Sequence, residues 1–300
     1  MSQVSGVLVR PEAAPSALPL AWLTAVGRFC RRKPLGALGA VILASLVVAA
    51  VFAPHIARTS PTKTNLRAAA VAPNAEHWFG TDLQGRDQWS RIVYGARISL
   101  RVALISVLAG TLLGSLTGMV SGYLGGAFDL LFQRVLDMLQ AFPALILAMA
   151  VVSVLGATVN NVIIAITIVL IPGASRVVRG ATLSIKENVY IEAARLLGAS
   201  HGRVLLRHIF PNVVPPILVL MSVAIGSTII TEASLSYLGL GAQPPTPSWG
   251  NMLQSAQNHL TRAPWLAIFP GLAISLVVFG ANMFGDALRD VLDPRLRGSR

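Results

Sequence analysis

Apolar residues in this chain gather into runs about as long as a bilayer is thick, and polar residues collect between them. The runs are Leu35 to Ala53, Arg101 to Tyr123, Val135 to Leu155, a fourth from Val162, Val213 to Thr231, and Trp265 to Phe284. Each is close to the ~20 residues a helix needs to cross the hydrocarbon core. The pattern predicts an all-α membrane protein with six spans. Within the second run, Gly110, Gly114, Gly118 and Gly122 recur every fourth residue on one helix face. Such a stripe lets another backbone approach closely in lipid, whether from this bundle or from a partner. The third run holds Asp137, Gln140 and Phe142-Pro143; Arg134, three residues before Asp137, can satisfy that carboxylate near the membrane surface. The fourth run is expected to bend at Pro172-Gly173, and the fifth carries Pro215 and Pro216 near its start, where a missing donor costs least.

Composition sharpens this reading. Of 300 residues, 54% are hydrophobic and only 12% charged, against roughly a quarter charged in soluble domains. A net charge of +12 would suggest nucleic acid in a soluble chain, but no solvated domain here is long enough to carry a basic arm. The charge instead reads as topology and contact with membrane lipid. With both termini inside, 16 of the 24 Lys and Arg fall in cytoplasmic segments and seven in outer ones, with Arg101 at the start of the second span. The expected organisation is a cytoplasmic segment 1–34, a first span 35–53, an outer segment 54–97, a core of five spans over 98–285 and a cytoplasmic tail 286–300. Arg28, Arg31, Arg32 and Lys33 hold the chain start inside. Cys30 is alone, so no intrachain disulfide framework exists.

The polar stretch Asn188 to Pro211, between the fourth and fifth runs, reads as helix, break, helix. Asn188 can cap a short helix, Glu192 favours its positive end, and Gly198 can leave it through a left-handed conformation. A second turn from Arg203 to Ile209 is expected to stop at Pro211. Taken alone, this is an amphipathic loop helix. Glu192-Ala193-Ala194, with Gly198 and Pro211 following, resembles the EAA loop in the membrane subunits of ATP-binding cassette importers; His208 and Phe210 stand where that family usually has an aliphatic residue and Leu. The resemblance implies a type I importer permease fold with a cytoplasmic coupling loop. Glu192, Ala193, Ala194, Arg195 and Gly198 would meet the ATPase.

Two further stretches resemble the peptide and nickel group of that family. His77, Gly80-Thr81-Asp82, Gly85-Arg86-Asp87, Ser90-Arg91 and Gly95-Ala96-Arg97-Ile98-Ser99-Leu100 match its HxxGTDxxGRDxxSRxxxGARxSL signature. Glu232 to Gly241, then Pro244 to Gly250, match EASLSFLGLGxxPPxPSWG with Tyr237 in place of Phe. From the residues alone, the latter is a glycine and proline turn region with an aromatic at the interface. The resemblance implies an outer mouth that meets a substrate-binding protein, with Glu232, Ser234, Tyr237 and Trp249 as candidate contacts. Gly285 to Asp290 and Leu292 to Arg295 resemble the closing GDxLRDxLDPR.

No GxxxxGK[ST] phosphate loop, HExxH or GxSxG motif occurs in the sequence. The expectation is therefore no catalysis, no cofactor and no metal in this chain. ATP and Mg would be bound by partner subunits. His201 and His208 read as isolated loop side chains. Two functions remain open from the residues. In one, the chain is the passive pathway half of an ATP-driven importer in the bacterial cytoplasmic membrane, beside a second homologous permease, two ATPase subunits and an external binding protein. Its cargo would be a dipeptide or oligopeptide, or else nickel or another small molecule. In the other it is an ion-coupled transporter, which needs ion ligands near the membrane midplane; Asp137 and Glu232 fall near span ends instead.

Overall fold

A computed structural model of the protein describes residues 27–292. The first 26 residues and the closing Asp293-Pro294-Arg295 lie outside the described residues. Among the described residues every regular element is helical, the long connection over 57–87 is mostly irregular, and one isolated bridge joins Thr81 and Asp87. The long helices are α1 (Pro34–Val51), α2 (Gln88–Leu124), α3 (Gly126–Gln140), α4 (Ala144–Leu155), α5 (Val159–Lys186), α7 (Phe210–Tyr237) and α9 (Trp265–Leu292). Two short helices, α6 (Val189–Leu196) and α8 (Trp249–Ala256), lie on the connections. Five helices are long and apolar enough to cross a membrane, and the pair α3 and α4, bent by 90°, makes up to six spans.

That bend corrects the third span, expected as one helix. Pro143 has no N–H to donate and pushes Phe142 out of the helical region, so the helix stops at Gln140 and restarts at Ala144. Helix also begins at Gly126, ahead of the apolar run that starts at Val135. Three further boundaries differ. The outer segment read as 54–97 becomes helix at Gln88, because the Asp87 carboxylate caps α2 by accepting from the Ser90 N–H at 2.9 Å and its hydroxyl at 2.7 Å. Glu232 to Tyr237, read as a turn, completes α7, and Gly285 to Asp290 continues α9.

The centre of the bundle is the parallel pair α2 and α5. The glycine stripe packs within this bundle: a Cβ on Gly114 would lie 2.5 Å from the Ile171 carbonyl oxygen, and one on Gly118 would lie 2.2 Å from that of Ser175. Both ends of the pair are tied by side chains. At one end Arg101 Nη2 donates to Asn160 Oδ1 at 3.1 Å. At the other, Arg179 and the Ser121 hydroxyl both donate to Asp129, which draws α3 against α2 and α5. Asp137 finds Arg176 at 2.8 Å, while its expected partner Arg134 stands at 4.0 Å. The partner on the facing helix lies closer than the one on its own.

The segment before α2 folds onto the ends of three helices. Arg86 and Arg91 both face Asp82, at 2.6 and 3.4 Å, and His77 Nδ1 donates to Asp87 at 3.0 Å. Gly85 (φ +71°) sits so close to Asn65 that a Cβ would meet its carbonyl oxygen at 1.8 Å. The residues of the His77–Leu100 signature are thus a scaffold: they close a loop and cap a helix.

Because α2 and α5 touch through backbone, Gly118→Leu is expected to lower the thermal midpoint of the detergent-solubilised protein, by about 1–3 kcal/mol of overpacking or more. Gly180→Ala, on α5 with nothing within 4 Å of the added Cβ, should leave the midpoint unchanged or raise it slightly. Equal losses in the two variants would contradict the close contact.

Candidate functional site

The stretch between α5 and α7 presents one short helix away from the bundle. An eight-residue helix is unstable alone in water, so α6 must be held by tertiary contacts. Ile191 is fully buried against Met119, Tyr123, Val204, Ile209 and Val213. Opposite it, Val189, Glu192, Ala193 and Leu196 form one exposed face at helical spacing, and Val189 and Leu196 are 80% and 83% exposed. Leu197, just beyond, is 89% exposed. Ala194 is half-buried on the side toward the bundle.

The exit from α6 is a Schellman turn. The Ala199 N–H donates to the Ala194 carbonyl at 3.0 Å and the Gly198 N–H to that of Arg195 at 2.9 Å, with Gly198 at φ +82°. The entry differs from expectation. Asn188 makes no side-chain cap; its amide instead donates backward to the Ile185 carbonyl at 2.9 Å and, at 3.4 Å, to that of Ser184. Asn188 therefore opens α6 with its backbone carbonyl, which accepts from the Ile191 N–H at 2.9 Å, while its side chain finishes α5.

Pro211 does not stop the following helix. His201–Arg203 runs into a π-helical stretch, Val204–Ile209, and on into α7, with the Phe210 N–H donating five residues back to Leu205. The wider turn admits a proline at the start of α7, where its missing donor leaves no gap. The result is a 37-residue continuous helical run, His201–Tyr237.

Tyr123, at the end of α2, gathers the pieces. It is buried, and its hydroxyl hydrogen-bonds His201 Nδ1 at 2.9 Å. The Arg195 guanidinium from α6 lies 5.1 Å from its ring centre and the Lys186 ammonium from α5 6.0 Å. One ring thus touches all three segments that surround the loop. Sequence reasoning passed over Tyr123 and Ile191; the one available signal was an aromatic residue with a polar tip directly after the glycine stripe.

The four outer candidates separate. Glu232 is buried, with Oε2 accepting from Ser99 at 3.0 Å and Oε1 from Ser236 at 2.7 Å. Trp249, expected at the interface, is also buried, and its indole donates to the Ile92 carbonyl at 3.0 Å. Both therefore brace α7 and α8 against α2. Ser234 is half-buried, its hydroxyl turned to the Ile230 carbonyl, and Tyr237 reaches the surface with its hydroxyl on Gln257.

Residues 110–298 match the family model described as binding-protein-dependent transport system inner membrane component, and residues 21–74 match the N-terminal TM domain of oligopeptide transport permease C. Among named proteins, the chain is similar to a dipeptide transport system permease protein DppC from Alkalihalophilus pseudofirmus, 43% identical over 267 residues that cover 89% of this chain and 88% of that protein. A glutathione transport system permease protein GsiD from Shigella flexneri is 47% identical over 292 residues, 96% of this chain and 95% of its own. Its counterpart from Escherichia coli is 45% identical over 301 residues, covering 96% and 98%.

The buried anchor makes the first site prediction. Ile191→Ala should cost about 2–5 kcal/mol of local packing. Tyr123→Phe, which loses only the bond to His201, should cost about 0.5–1.5 kcal/mol. Tryptic cleavage after Arg195 should accelerate roughly 30-fold in Ile191→Ala, and far less in Tyr123→Phe; equal rates in the wild type and Ile191→Ala would mean that Ile191 does not hold α6.

Proposed function

The chain belongs to the family of binding-protein-dependent transport system inner membrane components, as a permease subunit of an ATP-binding cassette importer, and from that premise we propose that α6 is its coupling helix and a short peptide its cargo. Subunits of this kind are not enzymes, and ion-coupled transport is thereby set aside. ATP and Mg are bound by partner ATPases, which meet the exposed face of Val189, Glu192, Ala193 and Leu196.

The observation that carries this reading is the division of α6 into two faces. One is pinned by Ile191 and Arg195 to the ends of α2 and α7; the other is open, with apolar Val189 and Leu196 at its ends and Glu192 and the small Ala193 in the middle. A groove on an ATPase can accept such a face deeply because Ala193 adds little bulk. Glu192 offers a charge there to an arginine or a backbone donor. Movement of the groove then moves α6, and with it two long helices. The 28 residues of α7 extend about 42 Å. Those from Tyr123 back to Ser99 on α2 extend about 36 Å. Their outer ends meet where Ser99 donates to Glu232. A push on α6 therefore arrives at the opposite side of the membrane as rigid-body motion, which opens a central pathway alternately to each side.

In this reading the α6 side is cytoplasmic, both termini lie inside, and the bacterial cytoplasmic membrane holds the complex. The importer is completed by a second homologous permease, two ATPase subunits or domains and an external binding protein that contacts the outer surface near Ser234 and Tyr237. Relatives named for dipeptide and glutathione transport support short peptides as cargo. The ligand that co-purifies with the cognate binding protein identifies which one.

Two substitutions on the open side of α6 test the coupling. Leu196→Asp puts a charge into the docking face, and Gly198→Asp puts a side chain at a left-handed position and costs about 1–2 kcal/mol at the exit turn. In vesicles containing the assembled importer, binding protein and a labelled dipeptide, vanadate-sensitive uptake is expected to fall at least tenfold in both variants, with membrane insertion normal. Uptake that persists in both, or that collapses with the proton gradient while ATP is held constant, would overturn the proposal.

A further inference from the structure

Helices α1 and α9 cross closely at one end and part at the other. Gly39 and Gly280 let the backbones touch, so that a Cβ on Gly39 would meet the Gly280 carbonyl oxygen at 2.4 Å. On the Val51 side of this contact a cleft opens, lined by both helices and floored by α2. The cavity there is about 790 Å³, within the roughly 300–1,000 Å³ range of small-molecule sites. Its walls carry Leu46 and Ala49 from α1 and Ala273 and Leu276 from α9; Ala96 lies in the floor. Ser45 is the lone hydroxyl in the lining.

The position of this cleft in the membrane follows from helix length. The 18 residues of α1 extend about 27 Å, close to the thickness of the hydrocarbon core. Pro34 and Val51 therefore mark its two faces, and the lining stretch from Ile42 to Ala49 occupies the half nearer Val51. At the end of the cleft nearer that face three of its own lining residues are aromatic: Phe79 stacks on Phe269 with ring centres 4.0 Å apart, and Trp89 meets Phe79 edge-on at 5.0 Å. Aromatics at this depth mark the membrane interface. At the same level Arg97 is exposed, and its Nε and Nη2 donate to the carbonyls of Ala50 and Val51, directly after the lining residues of α1. A cation is thus held beside the end of an apolar slot that runs from mid-membrane to the interface.

We propose that this cleft is a phospholipid site, with one acyl chain between α1 and α9 and the phosphate at Arg97. Water finds almost no partners in the lining, and an unfilled apolar space of this size forfeits dispersion contacts on every wall. A peptide is excluded by the same lining, which would strip its charged termini of water without replacement. A transmembrane helix, about 10 Å across, meets the Gly39 and Gly280 crossing, which closes the cleft toward the other leaflet. An acyl chain has the width, the length and the charged end that the site matches. Under the orientation proposed above, it comes from the outer leaflet.

The test uses the assembled importer. Ala273→Phe fills the cleft with its own ring, and Arg97→Gln removes the cation. After exchange into detergent, native mass spectrometry of the wild type should retain phosphatidylglycerol on the permease; retention should fall at least fivefold in each variant. In vesicles of phosphatidylglycerol brominated at mid-chain, tryptophan emission of the wild type should be quenched, and the quenched component should shrink in Trp89→Phe. Equal retention in wild type and variants would overturn the proposal, as would a Val48→Cys crosslink to a helix of the partner permease. Should Ala273→Phe not assemble, the bromine experiment decides alone, and a quenched component unchanged in Trp89→Phe would refute the site.

Discussion

The contact between the backbones of α2 and α5 sets the geometry of the bundle. In lipid no water is released when helices meet, so association depends on how closely the surfaces fit. Side chains at Gly114 or Gly118 would fall inside the van der Waals shells of the Ile171 and Ser175 carbonyls, and their absence lets the two helices run side by side through the membrane. That register delivers Tyr123 beside Lys186 at one end and Arg101 beside Asn160 at the other. It also places Arg179 within reach of Asp129, which anchors the start of α3. A slip of one turn would separate each of these pairs together.

Proline chemistry divides the remaining helices into those that bend and those that continue. At Pro143 the chain turns by 90°, because nothing upstream widens to accept the ring. At Pro211 the π-helical stretch before it supplies the room, and the helix goes on. The same residue type thus yields a joint in one place and an unbroken rod in another. The unbroken rod leads straight from the loop that holds α6 into α7, whereas the jointed pair is held by the ion pairs of Asp129 and Asp137. These carboxylates lock α3 to α5 from the side.

Much of this was legible in the sequence, and for identifiable reasons. Span number and position follow from apolar run length, which the bilayer imposes directly, and Gly198 was read correctly because a left-handed helix exit favours glycine strongly. The boundaries at Gln88 and Tyr237 were not legible, since polar residues that end a span need not end a helix; Gln88, Ser90, Arg91, Glu232 and Ser236 continue it while buried against the rest of the protein. Asn188 and Pro211 failed for a related reason. Their local preferences were overridden by α5 and by the π-helical stretch, neither of which a window of a few residues can reveal. Glu232 and Trp249 looked like surface residues because a glutamate and an interfacial tryptophan usually are. Only the fold supplies Ser99 and the Ile92 carbonyl to satisfy them.

The loop between α5 and α7 combines support and exposure, and its composition places each on different residues. A helix of two turns needs support to exist, yet α6 keeps one face open. Ile191 gives most of the support through burial, and Arg195 adds more by lying over Tyr123 with its charge still near water. Neither occupies the outward face. Leu196 and Val189 remain exposed as apolar side chains, which costs solubility in the isolated subunit and signals a surface completed by a partner. Because burial and exposure fall on different residues, the coupling role proposed above asks nothing of the buried face except that it hold α6 in place.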